Sequence, residues 1–116
     1  MARVLICEDD PLQAIDLADA VVTSGGEVCA CVRNSVEAVA AAMRLSPDIA
    51  LVDLTLADGE TGVDVALKIA KLGIRVIVLT GANQSHPKLG HIPHSFVSKP
   101  VPRDVVAELL RLRAAN

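Results

Sequence analysis

The chain has 116 residues, 52% of them hydrophobic and 22% charged, with 14 acidic against 11 basic side chains and a formal net charge of −3. That length suits one domain around a single core, and that composition excludes a disordered chain. Lysines and arginines are scattered, so no basic footprint for nucleic acid is present.

Arg3 to Cys7 reads as a strand, built on the apolar run Val4-Leu5-Ile6-Cys7 and ended by three acids, Glu8, Asp9 and Asp10. Pro11 opens a helix where a missing N–H costs least, and Asp10 stands where it would cap that helix. The helix carries Leu12, Ile15, Leu17, Ala18, Val21 and Val22 at helical spacing and is expected to stop before Gly25-Gly26. Val28 to Val32 is the second strand. Cys29 and Cys31, two apart within it, are expected on one face. Asn34 or Ser35 caps a second helix over 36–45, and Ser46-Pro47 ends it. The third strand, Ile49 to Val52, runs into Asp53.

A loop with a turn signal at Asp58-Gly59 then leads to a helix from Gly62 to Leu72, with Val63, Ala66, Leu67 and Ala70 as its apolar face. Ile74 to Leu79 is the fourth strand, followed by Thr80. Residues 80–94 contain Gly81, Pro87, Gly90 and Pro93, which oppose a long helix. His86, His91 and His94 in this stretch are too loosely spaced for a metal site and read as exposed loop residues. Ser95 to Ser98 is a short fifth strand leading into Lys99-Pro100, and Pro102 opens a last helix through Val105, Val106, Leu109, Leu110 and Leu112.

Repeated β-α units of this kind imply a parallel sheet with helices on both faces, in one domain over residues 1–116. Unbroken apolar strands are buried on both faces and present their chemistry at their C-terminal ends. Carboxylates, a hydroxyl and a lysine should therefore meet on one sheet edge, a set suited to a divalent cation and a transferable phosphoryl group. Phe96 is the only aromatic residue, so the core must be aliphatic. Cys7, Cys29 and Cys31 lack paired zinc-site spacing and read as small apolar residues in a reducing compartment. No apolar run approaches the roughly 20 residues a membrane helix needs, and no secretory signal is visible.

Four segments in order, Val4 to Asp10, Pro47 to Leu54, Val78 to Gly81 and Phe96 to Pro100, resemble the receiver domain of two-component response regulators. The resemblance covers essentially the whole chain. It implies a flavodoxin-like, doubly wound, five-stranded parallel α/β sheet of order 2-1-3-4-5, here with a short or irregular fourth helix. By resemblance Asp53 is the phosphoacceptor. Asp9, Asp53 and the backbone carbonyl of Thr55 bind Mg²⁺ directly, and Glu8 acts mainly through a bound water. Lys99 stabilises phosphoryl charge, with a cis peptide to Pro100 aiming it inward. Thr80 hydrogen-bonds a phosphoryl oxygen, and Ala82 and Thr55 stand where the family tunes phosphoryl lifetime. Phe96 stands where the family carries a switching aromatic residue and, lacking a hydroxyl, offers no tyrosine-type hydrogen bond.

The implied function is a cytoplasmic phosphorelay switch. A histidine kinase or histidine phosphotransfer protein supplies the phosphoryl group, and phosphorylation alters binding of a downstream protein. Such a domain is better described as a regulated binding module than as an enzyme, with no nucleic-acid or membrane contact of its own. The helix-strand-helix face at the end of the domain that holds the fourth helix is the usual output and dimer surface of the family, so a homodimer is one assembly the resemblance allows. The alternative is a degenerate receiver that binds partners without phosphorylation, which the complete set of Asp9, Asp53, Thr80 and Lys99 opposes. A haloacid-dehalogenase-like phosphatase would resemble a pattern with a second aspartate two residues after the nucleophile, where this chain has Thr55. A flavodoxin would need a phosphate-binding loop after the first strand, where this chain is acidic.

Overall fold

A computed structural model describes the backbone of residues 1–80, 94–98 and 103–114, and the side chains of residues 1–79 and 104–111. Five parallel strands, β1 (Arg3–Cys7), β2 (Glu27–Val32), β3 (Ile49–Asp53), β4 (Arg75–Thr80) and β5 (His94–Ser98), lie in the order β2-β1-β3-β4-β5. The described helices are α1 (Pro11–Thr23), α2 (Ser35–Leu45), α3 (Gly62–Lys71) and α4 (Arg103–Ala114). The first four strands take the expected order 2-1-3-4. The expectation of a short or irregular helix after β4 falls on residues 81–93, outside the described residues.

Every residue of β3 is buried, because the sheet is covered on both sides. Leu5, Cys7, Ala50, Val52, Val76 and Val78 point to the side of α2 and α3. Val4, Ile6, Ile49, Leu51, Ile77 and Leu79 point to the side of Leu17, Val21, Val106 and Leu110, which belong to α1 and α4. Strand residues thus alternate between two aliphatic layers, as a period of two requires. Alanines 38, 41 and 42 line the buried side of α2 and let that helix lie close to the sheet.

Local chemistry sets the helix ends. Asp10 caps α1 by accepting from the Leu12 and Gln13 amides, and Asn34 caps α2 by accepting from Glu37 N at 2.9 Å. Gly25 takes φ +90 after α1, so that its own amide and that of Gly26 bond back to the Val22 and Val21 carbonyls. This closure turns the chain directly into β2.

Three expectations are corrected. Leu12, Ile15 and Val22 lie on the solvent face of α1, leaving Leu17, Ala20 and Val21 as its buried stripe. The buried face of α3 includes Val65 and Ile69 with Val63 and Ala66, while Leu67 and Ala70 are only partly buried. Cys29 and Cys31 do not share a face. Val4 pairs with Val28 but Leu5 pairs with Ala30, so Cys29 is the extra residue of a β-bulge. Cys29 packs against the α2–α3 layer, whereas Cys31 is exposed and pairs with Ile6, whose side chain faces α1 and α4.

Candidate functional site

Register brings the acids together. Cys7 pairs with Val52, so the next residues, Glu8 and Asp53, leave their strands side by side. Asp53 in turn pairs with Leu79 of β4, which precedes Thr80. Oxygens of Glu8, Asp9 and Asp53 all lie within 4.8 Å of one another. Glu8 is 2% exposed and Asp53 6%, the two buried charged side chains among the described residues, while Asp9 is half-buried. Burial of carboxylates at this density is costly without compensating partners.

Backbone hydrogen bonds fix both acid-bearing turns. The amide of Glu8 donates to the Val32 carbonyl at 3.0 Å, anchoring the β1–α1 turn to the end of β2. Glu8 Oε1 accepts from the Asp10 amide at 3.2 Å. Asp53 Oδ1 accepts from the Thr55 amide at 3.1 Å, folding the chain after β3 back over the carboxylate. An all-oxygen cluster of carboxylates fits a hard divalent cation, and the 4.8 Å spread suits one that takes some ligands directly and others through water.

Glycine 62 sets how closely α3 approaches. Its amide donates to the Leu54 carbonyl at 3.0 Å. A Cβ there would run into the Asp53 carbonyl oxygen and come within 2.5 Å of Leu54 Cα. Only glycine therefore allows the helix to start against the end of β3.

Of the residues singled out in the sequence, Glu8, Asp9 and Asp53 are brought together and Thr55 adjoins them. Asp10 serves as a helix cap. The side chains of Thr80 and Phe96, and all of Gly81, Ala82, Lys99 and Pro100, lie outside the described residues, as do the side chains of the three histidines. Sequence reasoning missed two contributors, Gly62 and Asp58. A glycine opening a helix, a poor position for propensity, was the available signal for the first. The Asp58-Gly59 turn was the signal for the second, without its partners.

Residues 4–111 match the family model described as the response regulator receiver domain. The chain belongs to that family. This receiver is 38% identical over 80 residues to the phyllosphere-induced regulator PhyR of Methylorubrum extorquens, a match covering 67% of this chain and 30% of that relative. The signal receiver domain of a modulated diguanylate cyclase from Desulfovibrio desulfuricans G20 superposes with a TM-score of 0.83 at 30% identity, covering 99% of this chain and 94% of that one. The anti-anti-sigma factor PhyR from Bartonella quintana gives 0.80 at 29% identity, covering 98% of this chain and 47% of that one. The receiver thus spans under half the length of that structure and under a third of the curated relative. The sheet and these superpositions give a flavodoxin-like α/β fold. Receivers are in general switch domains that hold Mg²⁺ in an acidic pocket, and the described residues contain such an acidic cluster. No helix among the described residues is long and apolar enough to cross a membrane.

Proposed function

We propose that residues 1–116 form one receiver domain in which Asp53 accepts a phosphoryl group from a phosphohistidine of a histidine kinase or histidine phosphotransfer protein. The observation that carries this reading is the convergence of the Glu8, Asp9 and Asp53 carboxylates at the C-terminal ends of β1 and β3. A carboxylate oxygen of Asp53 forms the new P–O bond as the P–N bond of the donor breaks. The leaving imidazole nitrogen keeps the electron pair and takes up a proton, and Asp53 becomes an acyl phosphate. Asp9, Asp53 and the Thr55 carbonyl would hold Mg²⁺, with Glu8 acting through water. When bound, the ion offsets charge on the phosphoryl oxygens.

By family resemblance Lys99 supplies a second positive charge to the phosphoryl group and Thr80 a hydroxyl, and Phe96 takes part in the switch. Phosphorylation adds about −1.5 to −2 charge and strong acceptor oxygens at this edge, which biases partner binding. A donor protein would find an apolar surface beside the site: the first turns of α1 expose Leu12 and Ile15, with Asp16 next to them. Similarity to an anti-anti-sigma factor supports a downstream protein of the anti-sigma class. The setting is cytoplasmic and the domain acts as a regulated binding module.

Intact mass spectrometry after incubation with Mg²⁺ and a small-molecule phosphodonor tests the reading. One added phosphoryl group is expected, absent without Mg²⁺ and absent in Asp53→Ala. No adduct from that donor or from a phosphorylated histidine protein would instead leave a receiver that binds partners without phosphorylation.

A further inference from the structure

Asp58 is exposed, yet both its oxygens are committed. Oδ1 and Oδ2 accept from the Ser35 amide at 3.2 and 3.1 Å, Oδ2 accepts from Ser35 Oγ at 2.5 Å, and Oδ1 accepts from Thr61 Oγ1 at 2.7 Å. Ser35 is the first residue of α2, and Thr61 immediately precedes α3. The Thr61 side chain accepts no capping bond from its own helix, and its O–H donates to Asp58. A carboxylate in a plain surface turn would remain hydrated. This one joins the starts of two helices across 23 residues of chain.

The joint lies on a route to the acidic edge. Beside it, the Ala57 amide donates to the Arg33 carbonyl at 2.8 Å, and Leu56 is buried against the α2–α3 layer. One residue back along the same strand end, the Val32 carbonyl accepts from Glu8. Val32, Arg33 and Ser35 therefore hold the turn bearing Glu8 and Asp9 on one side and the loop bearing Asp53 and Thr55 on the other. The tight Leu56–Gly59 turn, with paired backbone bonds of 2.8 and 3.0 Å, transmits the hold from Asp58 back toward Thr55.

We propose that Asp58 is a positioning residue that clasps the β3–α3 loop to the start of α2 and so keeps Asp53 and the Thr55 carbonyl in register with Glu8 and Asp9. This rests on the reading of the acidic edge as a cation site. Outer partners that orient ligands commonly govern metal affinity by about 10- to 100-fold. Loss of the clasp should act at the low end, because Leu56 and Ala57 still anchor the loop.

Two measurements on the full chain test it. Amide hydrogen exchange by NMR, without metal, reads the clasp itself: Asp58→Ala should speed exchange at Ser35 and Ala57 and leave Val65 unchanged. Calorimetric titration with Mg²⁺ reads the link to the site: Asp58→Ala should bind about tenfold more weakly. Asn34→Ala is the control, since it removes the cap of α2 on Glu37 N without touching the loop. It should keep wild-type Mg²⁺ affinity. Unchanged exchange in Asp58→Ala would overturn the proposal, as would faster exchange with unaltered affinity, or equal weakening in Asn34→Ala. Absence of Mg²⁺ binding by the wild-type protein, with exchange still accelerated, would show instead that the cation-site reading had failed and the clasp serves the loop alone.

Discussion

Cys7 shows how one side chain reports the sealing of the sheet. It sits at the end of β1 with no exposure, and burial pushes its thiol from an ordinary 9.0 up to about 12, with smaller contributions from Cys31 and Cys29. Burial also raises the Cys29 and Cys31 thiols. Between 9.0 and about 12 the unfolded chain releases protons that the folded chain retains, so stability is full below 9.0 and falls as pH rises through that window. Urea denaturation followed by circular dichroism should show this alkaline fall. Cys7→Ala should start less stable because of the cavity but fall less steeply. An equal slope in the variant would mean that Cys7 is not sealed. Timed alkylation with mass readout should modify exposed Cys31 first and Cys7 last.

At the scale of elements, β1 and β3 were legible because burial on both faces forces unbroken apolar runs, and the acids ending them followed directly. The buried stripe of α1 was not, because Leu12, Ile15 and Val22 place apolar residues on its solvent side as well. Spacing names the faces a helix could bury, and packing against Val4, Ile6 and Leu51 of the sheet decides which one it does. The bulge at Cys29 was equally hidden, since an extra residue is a property of the pairing with β1 and not of the local run. Asp58 was visible as a turn residue, but its partner Ser35 is distant in sequence. Roles for Thr80, Phe96 and Lys99 rest on family resemblance, whereas the cluster of Glu8, Asp9 and Asp53 is also a matter of register. The start of α3 offers a test at this scale. Gly62→Ala would force Cβ against backbone atoms of Asp53 and Leu54, which cannot rotate away as a side chain would. A loss of about 1–3 kcal/mol in denaturation is expected, with weaker Mg²⁺ binding as the end of β3 shifts. Unchanged stability and affinity would mean that α3 can retreat without disturbing Asp53.

For the whole molecule, the acidic edge sets function against stability. Three carboxylates held within 4.8 Å repel one another in the fold and are free to separate in the unfolded chain. A cation that binds this edge and not the unfolded chain shifts the equilibrium toward the fold. Once Mg²⁺ exceeds its dissociation constant, each further tenfold should add about 1.4 kcal/mol, which for a domain of this size raises Tm by roughly 4–6 °C. Circular dichroism melts can follow this in a chain without Trp or Tyr. Asp9→Asn separates the two effects: it removes one charge from the cluster while keeping a polar side chain. The variant should melt no lower than wild type without metal and lose most of the Mg²⁺ increment. Matching sodium chloride controls exclude general screening, which acts weakly on buried charges. A Tm that ignores Mg²⁺, or an increment of equal size in Asp9→Asn, would show that the edge gathers its carboxylates for something other than a cation. If both effects appear, repulsion among these carboxylates is a source of the edge's affinity for a cation, and cation binding and folding reinforce each other.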